Sequence, residues 1–452
     1  MVINGKFEWI RNVLWPRVGL AFLCLVFTLC SASVLADNGA SVTVRAKDLQ
    51  HEATKIAFVV IRGGKALLTD FAQELAHAIT YSKQCDVDLI RSKRTSVLRS
   101  HDTIKSSYLK KLEQQGYDFA LVLHQIKREI EWSLYSVDDA SFIGGKRIKI
   151  NKKNVHAKAL TVAQDNWQYL FSDRGPFMSQ IAYCVKQGSG GQVIKRIYRA
   201  DFDGSNPRLV VGMPTINVAP RWNDDSDYPL LYYSEMAATN VRLMASNMDG
   251  KRRLICDMDG LNMLASFAGN DVAFCLSAGG TSQVYLYKDA SGKGKRFVQI
   301  THNKGNNIYP QLLAGGDIIF CSDFESRSPK IYRYYSKNKD VSRLVSGNGF
   351  FASPAYSTVT DSVAYTKLVA GVSQLFVHDC TTGKSRQLTS SKGHKEECAW
   401  SPCGSFLVFS VSKSRSSRIA MMHVPTKRWW YVSPKNQECS YPTWSGYFNR
   451  YF

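Results

Sequence analysis

The sequence predicts an α/β N-terminal domain followed by an all-β six-bladed β-propeller, and three observations predict it. One strand form recurs six times: Ile181-Ala-Tyr-Cys-Val, Leu230-Leu-Tyr-Tyr-Ser, Val272-Ala-Phe-Cys-Leu, Ile318-Ile-Phe-Cys-Ser, Val363-Ala-Tyr-Thr-Lys and Leu407-Val-Phe-Ser-Val. Successive starts lie 49, 42, 46, 45 and 44 residues apart, and a strand-built period of roughly 40–50 residues marks propeller blades. Ahead of the first repeat, strand-like and helix-like stretches alternate with short connections, the pattern of an α/β domain.

Residues 1–36 have the form of a signal peptide. Lys6, Arg11 and Arg17 precede an apolar run from Val18 to Leu29, and Val34-Leu35-Ala36 supplies the small residues for a cut after Ala36. An uncleaved anchor is the alternative, although a run of about a dozen apolar residues is short for a membrane span. Leu29 before Cys30 disfavours a lipoprotein signal. The cut chain is then expected to be exported, and soluble once exported.

Residues 37–180 form the α/β domain with an extended N-terminal segment. Ser41-Val-Thr-Val-Arg45 alternates polar and apolar residues as an edge strand does. Thr54–Ile61 is a strand, Leu67–Tyr81 has helical apolar spacing, and Val87–Ile90 is a short strand. A second helix spans Thr103–Gln115, paired strands follow over Tyr117–Ile126 and Ile130–Val137, residues 138–150 form a hairpin, and Asn154–Phe171 is a third helix. Gly63-Gly64-Lys65 lacks the spacing of a phosphate-binding loop, so it is a strand-to-helix turn. Asp138-Asp139 has the composition of a solvated turn rather than a cation site.

Residues 181–452 divide into four strand types, each occurring six times. The apolar runs are type B. Type C strands are amphipathic and run into Asp/Gly turns such as Asp201-Phe-Asp203-Gly204. Type D strands are short. Type A strands, Val218–Trp222 to Tyr441–Ser445, precede each new B strand. The first B strand has no A strand before it, and the last A strand, at Tyr441, has no B strand after it. The expected solution pairs them, so that the C-terminal strand closes the ring and removes its free edges.

The full chain carries net charge +21, and residues 181–452 alone carry +13. Such an excess favours anionic partners, and export excludes nucleic acid. Nine cysteines remain beyond the leader, an odd number. Cys184, Cys275 and Cys321 share one strand position and are core residues. Cys398, Cys403 and Cys439 lie near blade connections, with a Cys398–Cys439 bridge as the minority alternative to unbridged thiols. Zinc ligand spacing is absent. No nucleophile motif or paired histidines occur, so an enzyme is not expected; a hydrolase or lyase in the propeller channel is the alternative. No cofactor is implied, and Glu396-Glu397 is placed in a solvated basic loop.

The D-to-A connections carry Asn-x-x-[Pro/Ala]: Asn217-Val-Ala-Pro220, Asn262-Met-Leu-Ala265 and Asn307-Ile-Tyr-Pro310. Asn217, Asn262 and Asn307 either present amides at the channel mouth or cap the turn before each A strand.

Trp400-Ser-Pro-Cys-Gly404 and Arg386-Gln-Leu-Thr389, with Pro220-Arg-Trp222 and Pro442-Thr-Trp444, resemble the W-S-P-D-G and R-Q-L-T marks of the TolB family. The chain departs from them at Cys403, where the family has Asp. The resemblance covers the mature chain and implies a non-enzymatic, monomeric periplasmic scaffold of the Tol–Pal envelope system, acting in outer-membrane integrity and envelope constriction at division. It implies that the lipoprotein Pal binds at the propeller mouth near Asn217, Asn262 and Asn307. It implies also that TolA binds the N-terminal segment, here Val42, Thr43 and Val44. Peptidoglycan or another anionic envelope polymer is a further partner that the charge suits.

Overall fold

The computed structural model describes residues 53–448, apart from 62–65, 100–102, 190–191, 224, 259, 278–279, 289–295 and 415. The leader, Val42-Thr43-Val44 and the Gly63-Gly64-Lys65 turn lie outside the described residues.

The chain first builds a mixed five-stranded sheet. Its elements are β1 (Thr54–Ile61), α1 (Ala66–Tyr81), β2 (Cys85–Ser92), α2 (Arg94–Val97), α3 (Ser106–Gln114), β3 (Phe119–Ile126), β4 (Glu129–Ser136), β5 (Phe142–Lys149) and α4 (Val155–Phe171). The order is β2-β1-β3-β4-β5, with β1 parallel to β2 and β3 and the remaining pairs antiparallel. Strand β1 is buried on both faces, as a central parallel strand must be. Phe58 and Leu123 meet α1 and α4 on one face, while Ala57, Val59 and Val122 meet Leu109 and Leu112 of α3 on the other. The expected 138–150 hairpin is one strand after a turn, in which Asp138 accepts from Asp139 N at 2.8 Å and Asp139 from Ser141 N at 3.1 Å.

The remaining strands pair antiparallel except at one parallel bridge, between Lys195 and Ile216. The first three are β6 (Gln180–Gln187), β7 (Ile194–Asp201) and β8 (Arg208–Val211); β9 (Ile216–Trp222), β10 (Leu230–Met236), β11 (Val241–Asn247) and β12 (Arg252–Cys256) follow. Four four-stranded sheets come next. They are β13 (Asn262–Ala268), β14 (Asp271–Leu276), β15 (Gln283–Lys288) and β16 (Arg296–Gln299); β17 (Asn307–Leu312), β18 (Ile318–Ser322), β19 (Lys330–Tyr335) and β20 (Asp340–Arg343); β21 (Phe351–Ser357), β22 (Ser362–Val369), β23 (Val372–Asp379) and β24 (Ser385–Gln387); and β25 (His394–Trp400), β26 (Phe406–Lys413), β27 (Ser416–His423) and β28 (Arg428–Tyr431). The last strand, β29 (Glu438–Trp444), pairs antiparallel with β6. A single bridge between Lys195 and Ile216 joins β6–β8 and β29 to β9–β12 as one eight-stranded sheet. The leading strands β9, β13, β17, β21, β25 and β29 touch one another in sequence, and β29 touches β9, so they form a closed ring.

Each strand of this ring carries the same irregularity. The pairing register shifts once in each, at a left-handed residue: Ala219 (φ 52°), Leu264 (62°), Tyr309 (56°), Ser353 (50°), Glu397 (56°) and Tyr441 (54°). A bulge of this kind bends the strand and re-aims the side chains beyond it. Proline follows four of the six, and it keeps the preceding residue out of the right-handed helical region.

The two parts share one core. Residues of α1 and α4 pack in a single cluster with Phe202, Phe406, Ile419 and Trp444. Gly204 (φ 84°) makes this possible at the β7–β8 turn, where a Cβ would lie 2.4 Å from the Val432 carbonyl oxygen. No described helix is long and apolar enough to cross a membrane.

Candidate functional site

The two openings of the strand ring differ in construction. At the end where the ring strands begin lie the three asparagines, two residues before the left-handed positions. All three are fully buried, which corrects the picture of amides presented to a partner at the mouth. Asn217 Nδ2 donates to the Lys195 carbonyl at 3.0 Å, and Asn262 Nδ2 to those of Val241 and Met258 at 2.7 Å each. Asn307 Nδ2 donates to Gln283 Oε1 at 3.0 Å, Asn303 Oδ1 at 2.9 Å and the Gly305 carbonyl at 3.1 Å. Each amide thus ties a connection to the third strand of the sheet before it. A buried carbonyl needs a donor, and these positions supply it.

Lys395 occupies the equivalent place in β25. It is fully buried, and its ammonium donates to the carbonyls of Ser391, Lys392 (3.0 Å) and Gly393 (2.8 Å). Burial holds its pKa below the ordinary lysine value. Aligning Lys395-Glu-Glu-Cys398 on Asn217-Val-Ala-Pro220 would have revealed it. Around these buried ties the connections expose Met213 and Met258, 40% and 46% accessible.

The channel between the ring strands is charged. Glu397 is not in a solvated loop: it sits on β25, its Oε2 accepting from Ser410 Oγ at 2.8 Å and Tyr441 N at 2.7 Å. Burial raises its pKa above the usual carboxylate value, with Glu396 adding to the effect. Arg221 of β9 donates from Nη1 to the Pro220 carbonyl at 2.8 Å, and burial depresses its pKa. Both line a cavity of about 420 Å³ with Ser266, Phe267, Gln311 and Ser353. Turn residues Gly269, Ala314 and Thr358 also line it, so it lies toward the end where the ring strands finish, away from the asparagines. No group of three or more metal-ligating residues occurs among the described residues.

Cys398, Cys403 and Cys439 are unpaired, as are all the described cysteines, so the Cys398–Cys439 bridge is not formed. Cys398 packs among β21–β28, whereas Cys439 packs in the shared core. Cys184, Cys275 and Cys321 are buried as expected, and burial pushes the first two thiols up to about 12.

Sequence reasoning missed a histidine–carboxylate cluster at the seam between the two parts. His156 of α4 bonds Asp201 at 2.9 Å through Nε2 and Glu74 at 2.7 Å through Nδ1; His77 of α1 bonds Asp203 at 3.0 Å. The partners are 45, 82 and 126 residues apart in the chain, so only the tertiary fold unites them. The Asp201 bond, supported by Glu74, raises the His156 pKa to about 9 against the opposing effect of burial. A base with a raised folded-state pKa stabilises fully below its unfolded value near 6.5, and that stability is lost as pH rises through about 9. Unfolding free energies from urea titrations at pH 6 to 10 should therefore decline for the wild type relative to His156→Gln, by about 1–3 kcal/mol in total. Parallel curves would show that the seam does not hold this proton.

A family profile described as the TolB beta propeller domain matches residues 167–448. The Tol-Pal system protein TolB of Gluconobacter oxydans is 24% identical over 246 residues, covering 54% of this chain and 53% of that protein. TolB of Desulfosudis oleivorans is 27% identical over 179 residues, 39% of each. The chain thus spans about half or less of the length of these curated relatives. Among solved structures, TolB from Acinetobacter baumannii matches with TM-score 0.74 and 20% identity, over 87% of this chain and 97% of that one. Kuenenia stuttgartiensis hydrazine synthase matches with TM-score 0.50 and 13% identity, over 62% and 48%. At such identities these two likenesses are of fold alone. The profile spans more than half of the chain, and by it this chain belongs to the TolB β-propeller family.

Proposed function

We propose that the protein is a non-enzymatic, monomeric periplasmic scaffold of the Tol–Pal system, exported by a leader cut after Ala36. In this reading the eight-stranded sheet counts as two blades, making six with the four separate sheets. The lipoprotein Pal docks at the mouth where the ring strands begin, and TolA binds the segment containing Val42, Thr43 and Val44. The observation that carries the reading is the family match over residues 167–448. The exposed Met213 and Met258 on two connections support the docking site, since methionine supplies adaptable apolar contact. The asparagines then act indirectly, by holding the connections in shape.

Titration of the protein with the soluble domain of Pal from the same source tests the proposal. The double variant Met213→Asp, Met258→Asp should bind at least about tenfold more weakly, a loss near 1.4 kcal/mol, with unchanged melting because both side chains are exposed. Absence of binding by the wild type would defeat the scaffold reading.

A second reading, direct contact with an anionic envelope polymer, is favoured by the +13 charge of residues 181–452. Pull-down on peptidoglycan without Pal, weakening as salt rises, would support it.

A further inference from the structure

We propose that the channel cavity binds a small zwitterion of amino-acid or dipeptide size, its carboxylate on Arg221 and its ammonium on Glu397. The site lies away from the proposed docking mouth, and the inference goes beyond the scaffold reading without needing a lipoprotein.

Arg221 carries the argument. Its guanidinium has five N–H donors, yet its bond is to the Pro220 carbonyl, and among the described residues no carboxylate oxygen lies within 4 Å of it. Three other strand arginines have carboxylate partners: Arg252 with Glu235 at 2.9 Å, Arg333 with Asp317 at 2.8 Å and Arg242 with Asp257 at 3.2 Å. A buried cation whose counter-charge, Glu397, acts on it only across the cavity is costly, and its planar fork matches an incoming carboxylate bidentately.

Glu397 restricts what can enter. Both of its bonds fall on Oε2, and Oε1 accepts none among the described residues. A dianion would be drawn to Arg221 but repelled by Glu397, and a simple cation the reverse. A ligand bearing one charge of each sign satisfies both. The cavity of about 420 Å³ is within the range of small-molecule sites, and Gln311, Ser266 and Ser353 offer hydrogen bonds to an intervening amide, with Phe267 beside them.

The test is calorimetric titration of the purified protein with L-alanyl-L-alanine, its N-acetyl form and its C-terminal amide. The dipeptide should bind, and each blocked form should bind at least about tenfold more weakly. Arg221→Gln should lose the preference for a free carboxylate, and Glu397→Gln the preference for a free amine. Because the ligand series is run on the wild type, the outcome does not depend on either variant folding. Equal binding of all three ligands, or binding of none, would overturn the proposal.

Discussion

Removal of residues 438–452 is expected to abolish cooperative folding of the strand ring. Strand β29 covers the edge of β6 over Ile181–Lys186 and brings Trp444 and Phe448 into buried positions. Trp444 donates from Nε1 to Ser179 at 2.9 Å, and Tyr447 donates to the Gly175 carbonyl at 3.1 Å, so the same stretch binds the segment leading into the ring. Loss of the two large aromatic side chains alone costs about 6–10 kcal/mol, against a total stability of about 5–15 kcal/mol. The unpaired β6 edge would in addition invite association between chains. Circular dichroism and calorimetry of the truncated chain should show no cooperative transition at the wild-type temperature. A cooperative melt at that temperature would show that closure through β29 is dispensable. Trp444→Ala should fall between, losing about 3–5 kcal/mol.

The second large effect concerns the buried asparagines. Replacing Asn217, Asn262 and Asn307 together by Ala removes a buried donor from each of three connections, at about 1–3 kcal/mol each. The sites lie in separate connections, so the losses should nearly add. We expect the triple variant to melt on the order of 5–15 °C below the wild type. Any loss of partner binding should then track loss of fold, unlike the loss caused by the exposed methionine pair. Unchanged melting would mean that the amides do not hold the connections, and would return them to the docking surface as direct contacts.

The elements that sequence revealed and those it hid differ in a physical way. The six B strands were legible because each is a continuous apolar run that recurs at a blade spacing and is buried in its sheet. Four ring strands were legible to within two residues of each end, but β25 and β29 only in their second halves, from Cys398 and from Tyr441. The bulge breaks the alternation of faces, so Ile216 and Asn217, or His394 to Glu397, fall out of phase with the residues beyond and resemble a loop. The left-handed positions gave no composition signal either, because none of Ala219, Leu264, Tyr309, Ser353, Glu397 and Tyr441 is Gly or Asn. Glu396-Glu397 was misplaced for this reason. The cavity and the His156–Asp201–Glu74 cluster unite residues from distant parts of the chain, and no local pattern encodes such meetings.

The unpaired cysteines acquire another meaning when the sheets are taken one by one. Cys85 lies in the mixed sheet; Cys184, Cys256 and Cys439 in the eight-stranded one; Cys275 on β14; Cys321 on β18; Cys380 just after β23; and Cys398 on β25. Every sheet but β21–β24, whose Cys380 is only half-buried, thus carries at least one thiol that is shielded while the sheet is closed and reactive once it opens. Under a pulse of alkylating reagent the order in which these thiols are modified is the order in which the sheets come apart. The native sequence is therefore its own set of clocks for the unfolding of the ring, with no probe added.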